Sequence, residues 1–121
     1  MRAFPLLAVL LPLCACQLEG AVEVVRDDDT LGFVATADDG GPGCIRGISV
    51  RDTGAEATEY SWAIVREEVD ADDPCLSRVN YGVVPGGFTQ TTQPAPLEAG
   101  REYEVRVKGP GWDASTLFPG G

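Results

Sequence analysis

From Ala21 onward, apolar positions fall in short runs that turn-forming residues interrupt roughly every 8–15 positions. No stretch sustains the 3.6-residue period of an amphipathic helix. Successive strands are expected at Ala21–Arg26, Leu31–Ala37, Cys44–Arg51, Tyr60–Glu67 and Arg78–Val84. A threonine-rich edge strand is expected at Phe88–Gln93, where Pro94 and Pro96 prevent extension. The clearest signal is Glu102–Lys108. Tyr103, Val105 and Val107 point one way there, while Glu102, Glu104, Arg106 and Lys108 point the other, as in a strand between core and water. Asp113–Phe118 would return antiparallel after Gly109-Pro110-Gly111. Tyr60, Trp62 and Ile64 share a face of the fourth strand, and with Tyr103 they are assigned to the core. Seven or eight short strands with Gly/Pro turns and no helix predict an all-β fold, a single antiparallel β-sandwich over residues 21–121.

The N-terminus has a different pattern. Arg2 is followed by the apolar run Ala3 to Leu13, then by the small residue Ala15 and Cys16, which is the layout of a secretory signal peptide over residues 1–15. A run of about 11 residues falls short of the roughly 20 that a spanning helix needs. Pro5 and Pro12 would disturb a longer one.

Leu13-Cys14-Ala15-Cys16 resembles the lipobox of bacterial lipoproteins, with Cys16 in the lipidated position. Cys14 stands where Ser, Thr, Ala or Val is usual. The resemblance implies cleavage before Cys16, a diacylglycerol thioether on its sulfur and acylation of the new N-terminus. More than one acyl chain is what stable anchoring requires. It also implies a cell-envelope location, and by the family's sorting rules Gln17 points to the outer membrane. The alternative is an ordinary signal peptide cut nearby, releasing a soluble protein. Residues 16–20 would be the lipidated end and a short linker.

Under that reading, the mature chain runs from Cys16 to Gly121. Losing Arg2 leaves 8 basic residues against 19 acidic ones and moves the formal charge from −10 to −11. Such a surface repels nucleic acid and anionic head groups, so the membrane is reached through the lipid. Cys14 leaves with the signal and Cys16 carries lipid. Cys44 and Cys75 remain as a pair in an oxidising compartment, where a disulfide is expected.

Leu97-Glu98-Ala99-Gly100-Arg101-Glu102-Tyr103, continuing through Val105 and Val107, resembles the L-x-P-G-x-x-Y-x-V-x-V stretch of fibronectin type III domains, with Ala99 in place of Pro. The resemblance implies an immunoglobulin-like or fibronectin-like sandwich in which the Tyr103 hydroxyl ties back to the preceding corner, with Trp62 as the core tryptophan. Tyr81-Gly82-Val83-Val84-Pro85-Gly86-Gly87-Phe88 also resembles small bacterial lipoproteins, and implies no activity.

Candidate chemistry is sparse. With no histidine, Ser-His-Asp and Cys-His catalysis and His-ligated metals are excluded. Asp27-Asp28-Asp29, Asp38-Asp39 and the trio Asp70, Asp72 and Asp73 could offer Ca²⁺ a set of carboxylates if end loops converged. Solvated surface is the competing explanation. Trp112 and Phe88 are candidates for exposed aromatic contacts, or else caps on the ends of the core. No cofactor is implied. The expected function is a non-catalytic structural or protein-interaction module on an envelope membrane, with an envelope protein as partner. A Ca²⁺- or glycan-binding module is the alternative, and an enzyme comes third.

Overall fold

The computed structural model describes residues 19–56, 59–66 and 75–121. It contains eight strands: β1 (Ala21–Asp27), β2 (Thr30–Thr36), β3 (Gly47–Asp52), β4 (Trp62–Val65), β5 (Arg78–Asn80), β6 (Thr89–Thr92), β7 (Glu102–Gly109) and β8 (Trp112–Pro119). They form two antiparallel sheets, β1-β2-β5 and β6-β4-β3-β7-β8. The fold is a β-sandwich, as the short alternating runs predict.

The inward positions of the two sheets supply the core. Phe33, Ala35 and Val79 come from the three-stranded sheet, and Ile48, Val50, Trp62, Ile64, Val105, Val107 and Phe118 from the five-stranded one. The rings of Phe33 and Phe118 meet across the sandwich at 5.6 Å, and Trp62 packs on Tyr81 at 5.1 Å. Tilted aromatic pairs of this kind contribute beyond their buried area. The indole N–H of Trp62 donates to Gln90 Oε1 at 3.0 Å, so its polar handle is satisfied at the edge strand β6.

The alternation over 102–108 is reproduced: Tyr103, Val105 and Val107 are buried, while Glu102, Arg106 and Lys108 are exposed. The Tyr103 hydroxyl accepts a hydrogen bond from the Glu98 backbone N–H at 2.9 Å, which closes the corner leading into β7. Cys44 and Cys75 form a disulfide with Cα atoms 4.8 Å apart. Cys44 leads toward β3 and Cys75 toward β5, so the bond joins the approaches to both sheets at one end. Beside it, Ile45 N–H donates to Leu76 O at 2.8 Å.

β3 begins at Gly47, three residues later than expected, and β4 ends at Val65; two other boundaries move for identifiable reasons. β5 stops at Asn80 because the chain turns at Tyr81-Gly82, where Gly82 adopts φ 81°, a conformation that only glycine enters cheaply. β4 begins at Trp62, two residues later than expected. Tyr60 therefore lies outside the strand and is 45% exposed, which corrects its assignment to the core. The register with β3 decides what β4 presents: Trp62 and Ile64 face inward, while Ala63 lies opposite Ser49 and Val65 opposite Gly47 on the outer face.

Candidate functional site

The outer face of the five-stranded sheet is built from the positions that alternate with the core. β3 contributes Gly47, Ser49 and Arg51, and β7 contributes Glu104, Arg106 and Lys108. Register sets Gly47 opposite Lys108, Ser49 opposite Arg106 and Arg51 opposite Glu104. Gly47 and Ser49 of the central strand, with Ala63 of β4, thus form a low stretch of the face, and Arg106 and Lys108 rise on the β7 side. A shallow groove of about 230 Å³ results, lined by Gly47, Ser49, Tyr60, Ala63, Arg106 and Lys108 among others. A neighbouring hollow of about 230 Å³ shares Ser49, Tyr60 and Arg106 and reaches Arg51 and Glu104.

Charge separates this face from the rest of the molecule. Most cations of the described chain are committed. Arg51 pairs with Glu104 at 3.3 Å, Arg78 with Asp27 at 3.7 Å, and Arg101 with Asp52 at 2.8 Å and Glu98 at 3.2 Å. Arg26 donates to the Pro119 carbonyl, and the Arg66 guanidinium lies 5.0 Å from the centre of the Phe88 ring. Among the described residues, Arg26, Arg46, Arg106 and Lys108 form no ion pair, and the last three belong to the five-stranded sheet and its approach. These three are also neighbours. Arg106 and Lys108 are alternate residues of β7, and Arg46 N–H donates to Lys108 O at 2.7 Å. Arg106 and Lys108 therefore stand beside a groove that carries an exposed tyrosine, with Asp113 opposite Lys108 on β8 and Glu104 the next outward residue on β7.

The titratable groups that are perturbed serve structure elsewhere. The Asp52 carboxyl is held below its usual range, first by the Gly54 N–H that it accepts at 2.9 Å and then by Arg101. Arg101 is raised in turn by its bond to Asp52. Burial pushes the Tyr81 phenol up to about 12. Its hydroxyl donates at 2.7 Å to Ala95 O and lies 3.2 Å from Ser61 O, tying two connections together.

The residues singled out from sequence do not assemble into one site. Cys16, Asp70, Asp72 and Asp73 lie outside the described residues. Asp27 ends β1 and Asp28-Asp29 form the β1–β2 turn, whereas Asp38-Asp39 follows the other end of β2, so these clusters sit at opposite ends of the hairpin. Asp39 Oδ1 accepts from Gly41 N–H at 2.9 Å, capping its own turn. Among the described residues, no group of three or more His, Cys, Asp or Glu is placed to hold a metal ion.

Neither candidate aromatic is exposed. Trp112 is 6% exposed and Phe88 9%, so the contact role considered for them is corrected to the alternative of capping the core. The Trp112 ring occupies a slot left open by glycines. An added Cβ would come within 2.7 Å of its Cζ2 at Gly43 and within 2.8 Å of its Cε3 at Gly20, and at Gly109 it would overlap the ring outright.

The groove itself was missed from sequence, although β7 carries a trace of it. Its outward residues change sign along the strand, from Glu102 and Glu104 to Arg106 and Lys108. Only the register with β3 and β4 reveals that small residues lie beside the basic half. Comparison with protein-family models, curated proteins and solved structures returned no match.

Proposed function

We propose that this chain is a lipid-anchored, non-catalytic binding module of the cell envelope, which holds a protein partner on the outer face of its five-stranded sheet. The observation that carries the reading is the groove. There Tyr60 and the unpaired Arg106 and Lys108 surround a floor of Gly47, Ser49 and Ala63. Exposed aromatic and arginine side chains are the residue types that anchor protein interfaces. The hollow offers ion pairing and contact area.

The anchoring half of the proposal rests on the lipobox resemblance at Leu13-Cys14-Ala15-Cys16. The fold half is an immunoglobulin-like or fibronectin-like sandwich, supported by the Tyr103–Glu98 corner and the three-plus-five sheet arrangement. Glu19 and Gly20 favour a close tether: Gly20 N–H donates to Asp113 O at 3.0 Å, which pins the chain to the start of β8 only four residues beyond Cys16. Four residues reach about 14 Å at most. The domain would then sit against its membrane with the Gly109–Trp112 turn nearest the bilayer.

The test is a photo-crosslinking side chain in place of Tyr60, irradiated in intact cells. A discrete crosslinked product supports the module, and no product from that position overturns it. Cys16→Ser tests the anchor separately. Loss of the protein from the membrane fraction is expected, and normal processing with full membrane retention would contradict it.

A further inference from the structure

Building on that reading, we infer that the groove takes an extended peptide segment of its partner that carries acidic side chains at alternate positions. The groove runs along β3, with Gly47 and Ser49 as its floor. On one side stand Arg106 and Lys108, and on the other Val65, with Ala63 extending the floor and Tyr60 at its margin. Because Arg106 and Lys108 are two residues apart on one strand, their attachment points repeat at roughly 6.6–6.8 Å. An extended peptide laid parallel to β3 presents alternate side chains at that same repeat. Two carboxylates of the segment can therefore meet the two cations in register, while its backbone passes over the small floor.

Charge complementarity decides between occupants. A second copy of this chain brings a formal charge of −10 but also repels the first copy over most of its surface. The patch attracts carboxylates and lies on an otherwise acidic surface that discourages broad polyanions such as nucleic acid. A short acidic segment satisfies both conditions. Recognition on a sheet face also leaves the main-chain groups of β3 in their ladders with β4 and β7, so specificity must come from side chains. Tyr60 supplies the apolar contact, at a position where it remains 45% exposed.

The experiment is fluorescence anisotropy with the full-length protein in non-ionic detergent. The probes are a short fluorescein-labelled peptide alternating Glu and Thr and its counterpart alternating Lys and Thr. The Glu peptide is expected to bind, with the Lys peptide weaker by about tenfold or more. Arg106→Glu combined with Lys108→Glu should weaken the Glu peptide by about tenfold or more, as should raising salt well above physiological strength. Tyr60→Ala should weaken it several-fold. All three side chains point to solvent or half so, and unchanged thermal melts will show that the variants fold.

No binding of the Glu peptide at millimolar concentration overturns the inference, as does binding that the double variant leaves intact. Polygalacturonate that binds through the same two cations while the Glu peptide does not would assign the groove to an acidic glycan instead. Crosslinks from Tyr60 in cells without acidic-peptide binding would leave the module standing and remove only this partner chemistry. Absence of both would remove the module.

Discussion

Tyr103→Phe isolates one hydrogen bond in a site that is otherwise unchanged. The ring is buried and packs against Phe118 at a centroid distance of 5.8 Å, and both features survive the substitution. What disappears is the acceptor for the Glu98 N–H, held at 2.9 Å in a partly buried corner. A phenylalanine edge cannot accept that bond, and the space left is small, since Gly120 packs directly on the Tyr103 ring. Losing a typical hydrogen bond costs about 0.5–1.5 kcal/mol, and stranding a buried donor raises this to about 1–3 kcal/mol. Because the corner is partly exposed, we expect about 1–2 kcal/mol, near the middle of that span. For a domain of this size the melting temperature should fall by about 5–10 °C. Urea unfolding of the two proteins measures the free energy, and amide exchange at Glu98 reports the bond itself. Protection of that amide should drop in the variant. A loss below about 0.3 kcal/mol with protection unchanged would refute the reasoning, because the corner would then be held by ring packing alone.

Replacing Cys44 and Cys75 together by Ser opens a crosslink between residues 31 apart in sequence, and should cost about 3–4 kcal/mol in chemical denaturation. Gly109→Ala forces a methyl into the Trp112 ring, with an expected loss of about 1–3 kcal/mol and a changed tryptophan emission; an unperturbed variant would show that the slot is loose. The raised Tyr81 pKa stabilises the fold fully below pH 10, and that share is lost as pH climbs toward about 12. Tyr81→Phe should therefore flatten this alkaline decline in a pH series of thermal melts. Asp52 acts in the opposite sense: its lowered pKa contributes above the ordinary value of 3.8 and is lost as acid protonates it, so Asp52→Asn should flatten the acid limb.

Strands whose two faces differ chemically could be located from the sequence. β7 and β1 are found within a residue because Tyr103-Val105-Val107 and the turn at Asp27-Asp28-Asp29 leave one face and one boundary to choose. Cys44–Cys75 was reachable by eliminating the leader cysteines. Tyr60 was misassigned because period-two spacing with Trp62 and Ile64 says nothing about where pairing begins, which depends on the partner strand β3. Trp112 resisted reading for a different reason. Its slot is made by Gly20, Gly43 and Gly109, which lie far apart in the chain. The groove is likewise a product of register, since one step of slip would put Ile48 where Ser49 now lies.

The outer face of the five-stranded sheet is the proposed working surface. Photo-crosslinking in intact cells, with the reactive side chain at Tyr60 and in a parallel strain at Glu23, addresses this most directly. Glu23 is exposed on the opposite sheet and serves as the control. A discrete product is expected from Tyr60 that is lost with Arg106→Glu and Lys108→Glu, and none from Glu23. A product from Glu23 alone, or none from Tyr60, would contradict the proposal, whereas a Tyr60 product that persists in the double variant would remove only the acidic partner.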